Sequence, residues 1–475
     1  MSHEPFPSLL VTEDHLEPQG AFAEAQAEYL SPDPAVVRDL DTLLSTKKIG
    51  VVAHFYMDPE LQGVLAACEW PHVHISDSLA MADAATKMVE AGCEHVIVLG
   101  VDFMSENARA MLDAAGHGDV PVYRVAAEPI GCSLAESAEA KAYGAYLTEA
   151  AEVPRSLHVV YINTSLRTKA KAHALVPTIT CTSSNVVQTV LQAFSQIEDV
   201  QVFFGPDTYM GRNLAELFAS LAAMDDEAIR AVHPAHDRAS VARVLERFHY
   251  FRQGTCIVHH MFGADVAERV RREYPDVFVT AHLEVPGEMF EVALQRQRRH
   301  DAGVVGSTSN ILGFIERKVG EAVEDGGARR LRFVLGTEAG MITSVVDGVQ
   351  RILRAHAGSR VEAEILFPVA SEAIAEAPGS ELGVVPGVAG GEGCSTAGGC
   401  ATCPYMKMNS LTALLDVARR VGVADDDLAP YHPRKYLELI DGRGVADLGG
   451  EPILHMRAFA RSGRLPSALV DDVVA

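Results

Sequence analysis

Polar and titratable side chains follow almost every apolar run of this sequence, and their types suit acid–base chemistry on a small anion. Two runs end in paired groups, His54 with Tyr56 and His282 with Glu284. Other runs lead into hydroxyl, amide or carboxyl groups at Asp77, Ser78, Asp102, Glu106, Tyr161, Asn163, Asp207, Ser307, Thr308, Thr337 and Glu338. In open α/β sheets, ligands bind at the carboxyl ends of the strands. The pattern therefore predicts an enzyme site for a polar, anionic small molecule.

Each of these groups also has a structural interpretation when it is taken alone. A single histidine such as His54 or His282 is often a hydrogen-bonded structural residue. Ser78 suits the N-cap of the helix that follows it. The segment GSTSN, which contains Ser307, suits a turn or a helix start, and a helix start can also bind an anion. The functional prediction therefore depends on the whole pattern.

Eight cysteines are candidates for metal or redox chemistry: Cys68, Cys93, Cys132, Cys181, Cys256, Cys394, Cys400 and Cys403. A structural zinc site needs four closely spaced ligands, whereas only the last three cysteines cluster. A redox dithiol at the Cys-x-x-Cys pair would be expected to open a helix after a strand. A ferredoxin-type cluster needs compact four-cysteine spacing. An iron–sulfur cluster held by cysteines from distant loops would leave one iron open as a Lewis acid. Spacing alone leaves these alternatives open.

The elements that must position these groups are short apolar strands separated by alanine-rich helices such as 77–92. The predicted strands are 49–55, 72–76, 94–100, 121–125, 157–163, 200–204, 254–260, 276–282, 302–306 and 332–336. Their runs are continuously apolar, which is typical of parallel strands buried on both faces. Strand–helix alternation of this kind predicts an α/β fold with parallel sheets. The Gly/Pro-rich segment 376–404 reads as a loop.

Composition excludes several classes of protein. The 475 residues are 48% hydrophobic and 22% charged, as in globular proteins rather than disordered ones. Lysine and arginine total 40 against 64 aspartates and glutamates, and the net charge of −24 argues against a general nucleic-acid or anionic-membrane binder. There is no apolar run of about 18 residues and no secretory signal at the acidic N-terminus. We therefore expect a cytoplasmic protein with no membrane or nucleic-acid partner, whose cysteines are free thiols or metal ligands.

A series of motifs in a fixed order resembles the quinolinate synthase family. The motifs are HFYMDPE, SDSLAMA, GVDFMSENA, GCSLA, YINTS, CTSSN, FGPDTYMGRNL, GTCIVHHMF, GVVGSTSNI, GTEAGM and CPYMKMN, between about residues 47 and 410. The resemblance is greatest to the long form of the family, as in the corresponding domain of the plant plastid enzyme.

The resemblance implies a transferase of NAD biosynthesis that condenses iminoaspartate with dihydroxyacetone phosphate. The products are quinolinate, phosphate and water. It also implies three αβα sandwich domains around a pseudo-threefold axis, with the active site at the centre. Each domain would contribute one cysteine to a 4Fe–4S cluster, and motif matching gives Cys132, Cys256 and Cys403. The fourth iron would remain open to substrate. The partner that supplies iminoaspartate would be L-aspartate oxidase or aspartate dehydrogenase.

Matching residue by residue gives the remaining site. The implied catalytic residues are Tyr56, Glu284 and His282. The implied substrate-binding residues are His54, Ser78, Tyr161, Asn163, Ser183, Ser307 and Thr308. Two departures from the family pattern occur. Leu283 and Val285 replace the proline and cysteine of His-Pro-Glu-Cys, as in the long form, and the histidine and glutamate are retained.

The second departure concerns the last cysteines, which read Cys-x5-Cys-x2-Cys. This spacing leaves a choice between Cys400 and Cys403 as third ligand, and the place of Cys403 before Pro-Tyr-Met favours Cys403. Cys181, beside Thr-Ser-Ser-Asn, is expected to be a non-ligand.

The predicted organisation is an N-terminal extension and three αβα domains followed by a helical region. The bounds are 1–40 for the extension, 41–140, 141–258 and 259–403 for the domains, and 404–475 for the helical region. Two other functions stay open, namely another iron–sulfur hydro-lyase on the same scaffold and a non-catalytic iron–sulfur or zinc sensor. Substrate tests would separate the first, and a metal site saturated by cysteines would favour the second.

Overall fold

The structure is a computed structural model of the chain. It describes residues 5–28, 30–368, 384–386, 393–395 and 402–475. The chain divides into two compact units that alternate along the sequence. Unit 1 contains Met1–Lys47, Ala53–Asp77 and Ile257–Val423, and unit 2 contains Lys48–Val52, Ser78–Cys256 and Ala424–Ala475. The predicted domain bounds and the arrangement around a pseudo-threefold axis stay predictions.

Unit 1 is built on a six-stranded sheet. The strand order is Gly303–Gly306, Phe278–His282, Ala328–Val334, Arg360–Leu366, Ser8–Val11 and Leu16–Gln19. The first four strands are parallel, and the last two form a hairpin that joins antiparallel to Arg360–Leu366. His282 pairs with Gly306, and Val279 pairs with Val334. The carboxyl ends of these three parallel strands therefore lie at one edge of the sheet.

Helices connect the strands of unit 1. The α-helices are Ala21–Glu28, Pro34–Thr46, Pro59–Ala67, Ala264–Glu273, Gly287–His300, Thr308–Asp325, Ile342–Ala355 and Leu411–Arg420. Short 3-10 helices cover His259–Met261, Ala339–Met341 and Met406–Met408. The other strands are Val73–Ser76 and the pair Val384–Pro386 and Gly393–Ser395. Pro34 and Pro59 each lie in a first helical turn, where a backbone N–H has no intrahelical partner to lose.

The strand Ile49–His54 belongs to both units, because the boundary falls between Val52 and Ala53. In unit 2, the backbone N–H of Glu94 donates to the carbonyl of Lys48 at the start of this strand. In unit 1, the N–H of Phe55 donates to the carbonyl of Ser76, just after the strand ends.

Unit 2 contains a four-stranded sheet that is parallel throughout. The strand order is Phe248–Tyr250, Gln201–Gly205, Ser156–Tyr161 and Thr178–Cys181. The strands His95–Leu99 and Val122–Tyr123 also pair in parallel, and Leu439–Ile440 and Arg443–Gly444 form a short hairpin. The α-helices are Ser78–Glu90, Asp102–Ala114, Ser133–Glu139, Lys141–Ala151, Leu166–Leu175, Val186–Gln196, Thr208–Ala222, Asp226–Val232, Arg238–Arg247, Val445–Ser462 and Ser467–Val474. A 3-10 helix covers Asp425–Tyr431.

The long C-terminal helix Val445–Ser462 packs closely on Leu166–Leu175. Val445 and Leu448 form a buried apolar cluster with Ala170. A side chain at Gly449 would place its Cβ 2.3 Å from the carbonyl oxygen of Leu166, so only glycine permits this approach of the two helices.

The predicted α/β class with parallel sheets is confirmed, and nine of the ten predicted strands are present with shifted ends. The predicted strand at 254–260 is wrong. Gly254 exchanges hydrogen bonds with Thr208, and residues 259–261 form a 3-10 helix, so backbone groups of this segment are used in loops and turns. Phe248–Tyr250 pairs with Gln201–Gly205 instead. Among the described residues, no helix is both long and apolar enough to cross a membrane.

Candidate active site

A buried carboxylate lies between two histidine rings at the carboxyl edge of the unit 1 sheet. His282 ends the strand Phe278–His282, and Glu284 follows two residues later. One carboxylate oxygen of Glu284 is 3.3 Å from Nδ1 of His259, and the other is 3.7 Å from Nδ1 of His282. The two rings stack with their centroids 4.9 Å apart. All three residues are 3% exposed or less, so solvent screens these interactions weakly.

His54 and Tyr56 belong to the same unit and reach this edge from the strand Ile49–His54. Their rings meet edge to face at 4.6 Å, and the Tyr56 ring lies 6.2 Å from the His259 ring. The Tyr56 hydroxyl is 3.3 Å from the hydroxyl of Thr337 and 3.5 Å from that of Thr308. Tyr56 therefore connects the imidazole cluster to the loops after two further strands.

Burial keeps the imidazoles of His54 and His282 neutral. It lowers the pKa of His54 to about 4 and that of His282 to about 3, although the Glu284 charge opposes the shift in both. The backbone N–H of Tyr56 donates to Nδ1 of His54 at 3.2 Å, and that of Glu284 donates to Nδ1 of His282 at 3.3 Å. Each Nδ1 is thus an acceptor, which assigns the proton to Nε2 in both rings. Two neutral rings then offer Nε2–H donors.

Tyr56 is held in its protonated form. Burial raises the pKa of its phenol well above the usual range, and the negative charge of Glu284 raises it further. A protonated phenol beside a carboxylate gives one proton donor and one proton acceptor in the same unit.

The helix Thr308–Asp325 begins beside this cluster. Ser307 is its N-cap, and its hydroxyl oxygen accepts from the N–H of Asn310 while the Asn310 side chain accepts from the N–H of Ser307. The Thr308 hydroxyl faces Tyr56. Helix N-termini favour anions because their first N–H groups lack intrahelical partners. The interpretation of GSTSN as a helix start is therefore confirmed, and this helix start also suits a phosphate.

Glu338 is a second buried carboxyl group of unit 1, and it supports the backbone near Cys403. Its oxygens accept hydrogen bonds from the N–H groups of Gly340 at 2.6 Å and Cys403 at 3.2 Å. Burial raises the pKa of Glu338 to about 8, against the effect of these bonds. Gly336, two residues before Glu338, lies close to the neighbouring strand, because a Cβ there would lie 2.1 Å from the carbonyl oxygen of Thr280.

In unit 2, the predicted residues Tyr161, Asn163 and Ser183 lie at one edge of the parallel sheet. Tyr161 pairs with Cys181, so the turns that follow the two strands start at the same level. Tyr161 is buried, whereas Asn163 and Ser183 are half-buried. Ser78 is the first residue of its helix and is buried.

Comparison with known proteins identifies the family. A family model described as quinolinate synthetase A protein matches residues 38–356. The chloroplastic quinolinate synthase of Nicotiana tabacum is 54% identical over 485 residues, which is 99% of this chain and 67% of that protein. That of Arabidopsis thaliana is 53% identical over 487 residues, which is 100% of this chain and 68% of that protein.

The chain belongs to the quinolinate synthase family. This confirms the family predicted from the motifs. A more distant relative, the quinolinate synthase of Prosthecochloris aestuarii, is 27% identical over 292 residues, which is 62% of this chain and 68% of that protein. The plant relatives are matched along nearly the whole chain, including the C-terminal region that lies beyond the family model.

The cysteines expected to hold the family's cluster are chemically suitable. Cys132 and Cys256 in unit 2 and Cys403 in unit 1 are of intermediate exposure. Cys181, in contrast, is fully buried, and burial raises the pKa of its thiol. Cys400 lies outside the described residues, and Cys394 is described only as part of the strand Gly393–Ser395. Three accessible thiols fit a group that binds thiolates, and the ligand set stays a prediction.

Sequence reasoning missed His259 as a site residue, although the motif GTCIVHHMF contains it. The apolar pattern predicts a strand over this segment, whereas the 3-10 helix His259–Met261 places the His259 ring against Glu284. The adjacent pair His259-His260 was the available signal. Thr337 was recognised as following a strand, but its contact with Tyr56 depends on a fold that spacing does not reveal.

Proposed function

We propose that this chain catalyses the condensation of iminoaspartate with dihydroxyacetone phosphate to quinolinate, with release of phosphate and two waters, in NAD biosynthesis. The observation that carries the proposal is the buried Glu284 between the rings of His259 and His282, next to protonated Tyr56. The identity of the two substrates is inferred from membership of the family.

Enolisation of dihydroxyacetone phosphate needs an acid and a base on the same substrate. Glu284 can take the proton from the carbon next to the carbonyl group. Tyr56, held in the protonated form, can donate a proton to the carbonyl oxygen. His282 and His54 can hold substrate oxygens through Nε2–H without adding positive charge.

Two different sets of residues bind the phosphate of one substrate and the carboxylates of the other. The phosphate suits the helix start at Ser307 and Thr308. The two carboxylates of iminoaspartate suit the uncharged hydroxyl and amide groups of the remaining predicted residues, Ser78, Tyr161, Asn163 and Ser183.

The proposed cofactor is a 4Fe–4S cluster held by Cys132, Cys256 and Cys403. When bound, an iron with an open coordination position supplies a Lewis acid for loss of an oxygen leaving group. Glu338, which fixes the backbone at Cys403, supports one of these thiols. The proposed source of iminoaspartate is L-aspartate oxidase or aspartate dehydrogenase, and a cytoplasmic location stays a prediction because the plant relatives are named chloroplastic.

The test is a product assay under strict anaerobiosis on full-length protein with reconstituted cluster. Dihydroxyacetone phosphate and freshly generated iminoaspartate are supplied, and quinolinate is measured by mass spectrometry. Glu284→Gln preserves the shape of the side chain but removes the base, and we expect kcat to fall about 100- to 10,000-fold. Glu291→Gln, at an exposed glutamate of the following helix, is the matched control and is expected to retain full activity.

A Cys256→Ser variant tests the cluster assignment in the same assay. We expect quinolinate to disappear together with the visible absorption of the cluster. Absence of quinolinate from wild-type protein with an intact four-iron cluster would refute the proposed reaction. Full activity of Glu284→Gln would refute the role given to that carboxylate.

A further inference from the structure

A lysine is fully buried beneath the loop that carries Asn163. Lys169 has no exposed surface, and its ammonium group donates to the carbonyl of Ile162 at 3.1 Å and also to that of Thr164. These carbonyls belong to the residues immediately before and after Asn163. The ammonium group therefore fixes the backbone on both sides of a residue that the proposed function assigns to substrate.

A buried carboxylate holds the other end of this loop. Glu106 is 1% exposed, and one of its oxygens accepts from the N–H of Leu166 at 3.0 Å. Leu166 is the first residue of the helix that bears Lys169, so both groups act on one strand-to-helix connection. Burial lowers the pKa of Lys169 to about 7, whereas the charge of Glu106 raises it and favours the ammonium form.

The second oxygen of Glu106 reaches the C-terminal region. It accepts a hydrogen bond from the hydroxyl of Tyr436 at 2.9 Å. Tyr436 lies outside the region that the family model matches, yet within the region shared with the plant relatives. Its ring also lies 5.1 Å from the guanidinium carbon of Arg167, on the same helix as Lys169.

The segment before Tyr436 is anchored independently. The guanidinium group of Arg124 donates to the carbonyls of Pro430 at 3.1 Å and His432 at 3.3 Å, and its backbone N–H donates to the carbonyl of Tyr431 at 2.6 Å. Arg124 is 8% exposed and also forms an ion pair with Asp102 at 2.7 Å. Tyr436 is therefore presented to Glu106 by a segment that is itself fixed.

We propose that Lys169, Glu106 and Tyr436 are positioning residues that hold the Asn163 loop in its substrate-binding conformation, and that the C-terminal region thereby supports the active site. The assignment of Asn163 to substrate rests on the proposed function. The sequence pattern placed Glu106 among the groups that face a ligand, and its two hydrogen bonds assign it to loop support instead. Buried ionisable groups such as Lys169 and Glu106 are costly unless their polar atoms are satisfied, as they are here by three backbone groups and a phenol.

The first measurement is hydrogen exchange by mass spectrometry on the full-length protein. Tyr436→Phe removes one hydroxyl at the edge of the network, and Glu106→Gln removes the charge. We expect the amides of 162–166 to exchange about tenfold faster in both variants, because each loses a hydrogen bond that involves a charged group. Tyr250→Phe, at a half-buried tyrosine in another part of unit 2, is the control and should leave this segment unchanged.

The second measurement is steady-state kinetics on the same proteins. We expect KM for iminoaspartate to rise about tenfold in Tyr436→Phe, while KM for dihydroxyacetone phosphate changes less than about twofold. Lys169→Met should have a larger effect on both measurements. If Lys169→Met does not fold, the variants Tyr436→Phe and Glu106→Gln still test the inference.

Unchanged exchange at 162–166 in Tyr436→Phe and Glu106→Gln would overturn the inference. Faster exchange spread evenly over unit 2 would also overturn it, because that is general destabilisation. If exchange changes locally while the wild type forms no quinolinate, loop support by these residues stands and the proposed function fails.

Discussion

Replacing Gly449 with alanine is expected to destabilise unit 2, whereas the same replacement at Gly450 is expected to stabilise it. A Cβ at Gly449 would lie 2.3 Å from the carbonyl oxygen of Leu166, but a Cβ at Gly450 would meet no atom within 4 Å. The two glycines are adjacent in one buried helix, so each serves as the control for the other.

The size of the effect follows from the contact. An ordinary contact of a Cβ begins at 3.4 Å, so the helices must separate by about 1 Å to admit the new methyl group. Overpacking of this kind costs about 1–3 kcal/mol. Alanine is favoured over glycine within a helix by roughly 1 kcal/mol, and both variants share this gain. Their free energies of unfolding should therefore differ by about 1–3 kcal/mol.

Thermal unfolding followed by circular dichroism measures the difference. For a domain of this size, 1 kcal/mol corresponds to roughly 2–4 °C in Tm. Gly450→Ala should melt above the wild type and Gly449→Ala below Gly450→Ala. Gly449→Ala should also lose activity, because it displaces Leu166, whose N–H binds Glu106. Equal Tm values for the two variants would refute the close helix approach.

Two further predictions concern stability. Burial lowers the pKa of His158 to about 3, and its ring bonds the Tyr143 hydroxyl at 2.8 Å. Between about pH 6.5 and pH 3 the unfolded chain therefore binds one more proton at this residue, and stability is lost as the pH falls, by about 1.4 kcal/mol per pH unit. In His158→Gln, the free energy of unfolding measured in urea at pH 6, 5 and 4 should depend on pH less steeply by that amount. A pH dependence equal to that of the wild type would contradict the lowered pKa of His158. Separately, the Lys47 ammonium donates to the carbonyls of Ala418, Arg419 and Val421 at the end of the helix Leu411–Arg420. Lys47→Met should lower the free energy of unfolding by about 1–2 kcal/mol, whereas Lys48→Met, at an exposed pair with Glu94, should leave urea unfolding unchanged. Equal effects of Lys47→Met and Lys48→Met on the free energy of unfolding would argue against capping of the helix Leu411–Arg420 by Lys47.

The groups found at the site of unit 1 could be predicted because parallel strands impose a simple rule. His282 and Glu284 follow a continuously apolar strand, and the register brings the carboxyl end of that strand and that of Gly303–Gly306 to one edge. His54 ends another continuously apolar strand, Ile49–His54. The same rule found the loops after Ser156–Tyr161 and Ala328–Val334. The rule fails where an apolar run does not form a strand, or where a strand has few apolar residues.

His259 is the clearest failure, since the apolar run 254–260 predicts a strand where the chain forms a 3-10 helix. The strand Thr178–Cys181 was also missed, because its two threonines and short length give little apolar signal although all four residues are buried. The network of Glu106, Lys169 and Tyr436 joins residues up to 330 positions apart, and no local pattern encodes such a contact. Long-range polar contacts of this kind require the fold itself.

The strand Ser8–Val11 has a consequence for synthesis of the chain. Its apolar side chains, including Leu9 and Val11, are fully buried in the sheet of unit 1, and on one side they pair with Arg360–Leu366. That partner is translated about 350 residues later, which takes on the order of 20 to 70 s at common rates of translation. During that interval the nascent chain has an apolar strand that is paired with Leu16–Gln19 at most, because its second neighbour does not yet exist. Folding of unit 1 is therefore completed late, and the strand Ser8–Val11 is among the last to reach its place.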